Sequence, residues 1–138
     1  MFYRRYNLSK KIHSELSKED RMVLKILEVV VKDCSKIYAL QLKEGFYPDK
    51  ITKQRLEREN VKNPDILSSF SFIEEQNGKL VAVPYHLHCQ KYLQPISKKI
   101  EKAAELCKNE SFKLYLKARA KCLTDGTYSN TFGQWTKV

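Results

Sequence analysis

Glycine and proline are scarce in this chain, with four of each in 138 residues. That leaves little room for a glycine-rich loop that cradles phosphate, and neither an HExxH nor a GxSxG pattern occurs. Long apolar runs are missing too. The best candidate, Val23 to Val31, is broken by Lys25 and Glu28, so nothing approaches the ~20 apolar residues of a membrane-spanning helix. The four cysteines (Cys34, Cys89, Cys107 and Cys122) have no CxxC spacing, and reduced, mostly buried thiols are expected. The start, "MFYRRYNLSKK", is basic but has no apolar segment behind it. It does not read as a secretory signal, and a cytoplasmic location is expected.

What the chain does have is positive charge, a formal +10 with 30% charged residues. Such a balance invites a nucleic-acid reading. The lysines, however, are spread along every expected helix rather than gathered in one stripe, and no RNA-binding aromatic signature or zinc-finger spacing is present. The densest basic stretch is the first eleven residues, where Arg4, Arg5, Lys10 and Lys11 sit among Phe2, Tyr3 and Tyr6. It suits an arm for an acidic partner, with Arg4 and Arg5 as candidate contacts.

The pattern predicts a mainly helical α+β protein with a long N-terminal helix, one β-hairpin and two C-terminal helices. Three parts are expected: a basic arm (1–16), a single domain (17–126) and an aromatic tail (127–138). Ser17 is placed to cap a helix with Glu19 and Asp20 in its first turn. Behind it Val23, Leu24, Leu27, Val30, Val31, Cys34, Ile37, Tyr38 and Gln41 or Leu42 recur at steps of three and four, which predicts an amphipathic helix over 18–43. Gly45 ends it and Pro48 blocks continuation. Thr52 can cap a short charged helix anchored by Leu56, and Asn63-Pro64 reads as the start of another single turn. The 45–69 stretch is therefore expected to be a surface connection.

"FSFIEEQNGKLVAV" places two strand-like runs around Asn77-Gly78, the residues a tight type I′ turn demands. A hairpin over about 70–75 and 79–83 is predicted. A lone hairpin is marginal in water, so it must lie against helices. Pro84-Tyr85 closes the second strand. A helix is expected from 86–88 to about 108, kinked or restarted by Pro95, with Tyr92, Leu93, Ile96, Ile100, Ala103, Ala104 and Cys107 as its apolar stripe. A last helix, capped by Asn109 or Ser111, carries Phe112, Tyr115, Leu116, Ala120 and Leu123 and ends at Asp125-Gly126.

His86-Leu87-His88-Cys89 gathers ligand-type side chains. On a strand the two imidazoles would share a side. On a helix they point apart, and a helix is expected to begin here. A structural zinc site also wants four convergent ligands, and His13, Cys34, Cys107 and Cys122 are distant in sequence and mostly on apolar stripes. No metal site and no cofactor is expected, and His86 is read as a polar contact near the helix start. Glu74 and Glu75 beside the turn are expected to be solvated. Cys89 with His86 is the only local thiol–imidazole pair and is not expected to be catalytic.

Several segments together resemble a known family. "FYPDKITKQRLERE", "NPDILSSFSFIEEQNGKLVAVPYH", "YLQPISKKIEKAAELCKNESFKLYLKARAKCL" and "DGTYSNTFGQW" look like the N-terminal half of zinc metallopeptidases of the dipeptidyl-peptidase III type, a segment also fused to Nudix domains in some plant proteins. The resemblance spans roughly 44–135 in order, with a looser echo in the 18–43 helix. It implies a scaffold half. The family's zinc helix, HExxGH, and its further glutamate ligand would lie beyond Val138, so no catalytic or metal-binding residue is carried over. The tail also departs from the family. A "YxxSDIAW" pattern is usual there, whereas "YSNTFGQW" has Asn130 and no carboxylate.

The resemblance implies a stable α+β body that does not hydrolyse peptides alone. Such a half exposes apolar surface where the other half would pack. The expected function is thus a non-catalytic module that binds another protein or a peptide, through Tyr85, Tyr128, Phe132 and Trp135. Two alternatives stand beside it: one part of a split or truncated zinc dipeptidyl peptidase, and a basic protein that binds nucleic acid through the arm.

Overall fold

The computed structural model describes residues 14–127. The order is α1 (Lys18–Glu44), α2 (Lys53–Lys62), a 3-10 turn (Pro64–Leu67), β1 (Ser71–Gln76), β2 (Lys79–Pro84), α3 (Tyr85–His88), α4 (Gln90–Leu106) and α5 (Glu110–Asp125). The mainly helical α+β architecture matches the expectation. No helix among these residues is long and apolar enough to cross a membrane.

Local chemistry sets the boundaries. The hydroxyl of Ser17 accepts from the amide of Asp20, and Thr52 accepts from Arg55. The Asn63 side chain accepts from the amide of Asp65, and that of Asn109 from Phe112. Each satisfies an N–H that a helix start leaves without an intrahelical acceptor. Asn77 and Gly78 both have positive φ, as the tight turn between β1 and β2 requires.

The α4 helix is the centre of the larger core. It packs against α1 on one side and α5 on the other. Leu93, Ile96, Ile100, Ala103 and Ala104 are buried along it, facing Val23, Val30 and Ile37 of α1 and Leu116 and Ala120 of α5. The alanines let α4 and α5 approach closely. Within that contact the Ser97 hydroxyl donates to the Ala120 carbonyl at 2.8 Å, which removes the cost of burying it. Asp33 of α1 binds Lys99 of α4 at the edge of the same contact.

Three expectations change. Only part of the α1 stripe is covered: Val31, Tyr38 and Leu42 are exposed at 64%, 62% and 71%. The helix buries the ridge defined by Val23, Val30 and Ile37, one residue every two turns, and the neighbouring ridge faces outward. The 45–69 stretch is more than a connection. It builds a second small core, where Ile66 is buried with Ile73 and Leu80, flanked by Ile51, Leu56 and Ala82. The hairpin is thus covered on both faces, because alternate residues of β1 point opposite ways. Phe72 enters the helical core and Ile73 the small one. Finally, Pro95 lies inside a continuous α4, and the chain breaks instead at Cys89, between α3 and α4.

Candidate functional site

Phe72 lies beneath a concave part of the surface. At the end of α1, Gly45 adopts φ 72° and donates its amide to the Gln41 carbonyl, a conformation that favours glycine. The chain then turns back across β1. The Ile73 amide donates to the Phe46 carbonyl at 2.9 Å, on the side of β1 away from β2. This places the Phe46 ring on Phe72, with centroids 4.9 Å apart. Tyr85 stacks on Phe72 at 5.6 Å and His88 at 4.1 Å with the planes 13° apart. The result is a cluster of four rings, linking the α1 end, the hairpin and α3.

Two recesses adjoin this cluster. One, of about 220 Å³, lies between the last turns of α1 and the start of α4, with Ile37, Leu40, Cys89 and Tyr92 in its wall. The other, of about 350 Å³, runs between residues 44–48 and β1, past Phe46, Tyr47, Ile73 and Glu75. They share Glu44, Phe72 and His88 and form one groove. Three carboxylates and one amine line it: Glu44, Glu74 and Glu75, with Lys91 on the α4 side. Glu74 is 3.0 Å from Nδ1 of His88. Glu75 accepts from Arg55 at 2.7 Å, and the same guanidinium donates to the Gly78 carbonyl, tying α2 to the turn. Both glutamates are therefore held by partners, rather than simply solvated as expected.

The two histidines part company. His88 belongs to the groove, while His86 lies over Gly126 at the end of α5. A Cβ on Gly126 would come within 2.6 Å of His86 Nδ1. Asp125 beside it has its carboxyl held below the ordinary range, because the hydroxyl and amide of Thr127 donate to it. Among the described residues no three His, Cys, Asp or Glu side chains converge as metal ligands. The donor set of the described residues therefore does not fit the zinc of a metallopeptidase. Burial pushes the thiols of Cys89 and Cys122 up from their usual range, and partial desolvation of the sulfur with the neighbouring Asp33 carboxylate does the same for Cys34, which keeps them protonated and weakly nucleophilic at neutral pH. Cys34 is exposed and the other three cysteines are buried.

Of the residues singled out from the sequence, Tyr85 lies in the ring cluster, behind Phe72. Arg4, Arg5, Tyr128, Phe132 and Trp135 lie outside the described residues. Phe46, Tyr47, Phe72 and His88 were not foreseen as a site. The usable signal was the aromatic pair directly after the glycine that stops α1: a chain forced to turn there must lay those rings on whatever lies beside it.

No protein-family model matches the sequence, and no curated protein does. Two solved structures are similar. The dipeptidyl-peptidase III from Caldithrix abyssi superposes with a TM-score of 0.79 at 23% identity, over 91% of this chain and 34% of that one. The dipeptidyl-peptidase III from Corallococcus sp. strain EGB gives 0.60 at 26% identity, over 68% of this chain and 19% of that one. The chain thus spans at most about a third of either structure. Its fold is the fold of a part of dipeptidyl-peptidase III.

Proposed function

We propose that this chain is a peptidase-derived domain that binds a peptide or an extended protein segment in the groove around Phe72 and carries out no hydrolysis itself. The observation that carries this reading is the groove: a recess floored by stacked rings, with a few polar groups at fixed positions, is the usual form of a binding site. The likeness to part of a peptidase whose name denotes action on peptides supports peptide as the ligand class. Panning a random peptide display library on the immobilised protein tests it. Enriched peptides should bind the protein and lose affinity for the Phe46→Ala variant. Enrichment of nothing, or of peptides indifferent to Phe46→Ala, overturns the reading.

A second reading is favoured by how the fold likeness is distributed, since about a third of the Caldithrix abyssi chain is matched. In that reading the domain is one part of a zinc dipeptidyl peptidase whose metal-binding part is supplied elsewhere. Dipeptide release on mixing with a candidate zinc-bearing chain would favour it.

A further inference from the structure

The outward face of α1 carries two parallel rows. Val31, Tyr38 and Leu42 are well exposed, at steps of seven and four that keep them on one side of the helix. Lys25, Lys32, Lys36 and Lys43 are exposed at steps of seven, four and seven, and stand about 100° further round. Leu24-Lys25, Val31-Lys32 and Leu42-Lys43 repeat that offset. Spread along the sequence, these lysines are gathered into a row by the pitch of α1. At the rise of a helix the row is about 27 Å long.

The acids of α1 leave this face almost clear. Glu28 is the one carboxylate on it between Leu24 and Lys43. Asp33 faces α4, where it binds Lys99. It also reaches Lys36, but that lysine keeps 74% of its side chain exposed, and such a pair is weak. Glu44 turns to the groove. A phosphate polymer would meet the lysines and leave Val31 and Leu42 in water. The interface of an anionic bilayer meets both rows. Lysine heads reach the headgroup phosphates, their stems lie along the apolar row, and that row enters the acyl boundary. A tyrosine within the apolar row suits the headgroup level. No membrane-spanning helix is required, because a helix bound in this way lies in the plane of the surface.

We propose that the outward face of α1, from Lys25 to Lys43, docks the protein on an anionic lipid surface. Val31, Tyr38 and Leu42 enter the interface, and Lys25, Lys32, Lys36 and Lys43 lie at the headgroups. Charge complementarity selects an anionic surface, and the apolar row beside the lysines selects a lipid one. The proposal does not depend on what the groove around Phe72 binds.

Vesicle flotation with the full chain tests it. The probes are vesicles of phosphatidylcholine alone and of phosphatidylcholine with about one phosphatidylserine in three lipids, a surface that attracts each nearby lysine. The protein should float with the anionic vesicles and not with the neutral ones. Lys32→Gln, Lys36→Gln and Lys43→Gln together should lower the partition about a hundredfold, at about fivefold for each lysine near the surface. Lys98→Gln, Lys102→Gln and Lys121→Gln remove the same charge from exposed positions on α4 and α5 and should change it far less. Val31→Ser with Leu42→Ser keeps every charge and should lower it about tenfold. All these side chains are exposed, so no set removes a core contact. Equal loss for the two lysine sets would mean that net charge alone binds, and overturns the proposal. Indifference to the serine pair overturns it as well, and tighter binding of a labelled RNA strand by the same variant would give the row to a phosphate polymer. Flotation that needs Arg4 and Arg5 but not the α1 lysines gives the surface to the arm and overturns it. So does the absence of flotation, including the case of a dimer in sedimentation velocity that the serine pair splits, where the face belongs to a second copy.

Discussion

The two cores of this protein are built from the same kinds of residue and differ in reach. The larger joins three long helices, and its buried side chains come from elements more than ninety residues apart in sequence, such as Val23 and Leu116. The smaller has Ile66, Ile73 and Leu80, drawn from fifteen consecutive positions. A wide core spreads the loss of one side chain over many neighbours. A narrow core has few, so its opening need not involve the rest of the molecule. The groove lies where they meet: Phe72 looks into the large core, and Ile73, next to it, into the small one. Binding there would be expected to couple to the stability of the small core first.

Matched truncations would break or sharpen this contrast most strongly. Ile96 and Ile66 are both 1% exposed. Ile96→Ala should cost about 3–4 kcal/mol and lower the whole unfolding transition, as for a large-to-small change at the centre of a core. Ile66→Ala should cost about 2–3 kcal/mol, mostly locally. Hydrogen exchange would separate them. In Ile66→Ala the amides of α2 and the hairpin should lose protection while those of α4 and α5 keep it. Uniform loss across all elements would show that the two cores unfold as one.

A pair of glycines makes the same comparison at smaller scale. Gly78 and Gly126 have φ of 74° and 76°. Around a Cβ at Gly78 there is open space, whereas at Gly126 it meets the His86 ring. Gly78→Ala should therefore cost about 1 kcal/mol of backbone strain alone. Gly126→Ala should cost about 2–4 kcal/mol, since steric displacement of the ring adds to the strain. Urea unfolding midpoints of the two variants check the order. The Gly126 effect should shrink in a His86→Ala background, where the obstruction is gone.

Much of this architecture was readable from residues whose effect is local. Ser17, Thr52, Asn63 and Asn109 mark helix starts because each offers an oxygen at the position where an amide needs one. Asn77-Gly78 marks the hairpin because its backbone conformation excludes most other pairs. The α4 stripe was legible because α4 is contacted on two sides and nearly all of its apolar residues are used. The α1 stripe was misread because periodicity reports what a helix can bury, not what the fold places against it; Val31, Tyr38 and Leu42 fit the period and face outward. The groove was the least legible. It depends on Phe46 reaching Ile73 and Phe72 reaching His88, contacts made across the chain whose partners no local pattern names. Glu74 illustrates this. Beside a turn it reads as a solvated carboxylate, and only the placement of α3 gives it His88.

Acid should distinguish the two cores by the weakest effect. The large core has Asp33 at its edge, whose carboxyl is held below the ordinary range by hydrogen bonds from Lys99 and then Lys36. A folded-state pKa below the unfolded one means that the stabilisation is fully present above the unfolded value and is lost as pH falls through the folded one. Asp33→Asn should thus lower the urea midpoint slightly near neutral pH. The difference from the parent should fade as the pH drops below ~4, the ordinary aspartate value. The loss should also shrink in high salt, because the pair is partly exposed. In hydrogen exchange the small-core amides should not respond to Asp33→Asn at any pH, since the Asp33 pairs with Lys99 and Lys36 join α1 to α4 and to itself. A response there as large as in α1 and α4 would mean that the interface through Phe72 transmits strain between the two cores, and that the groove is a rigid joint rather than a seam.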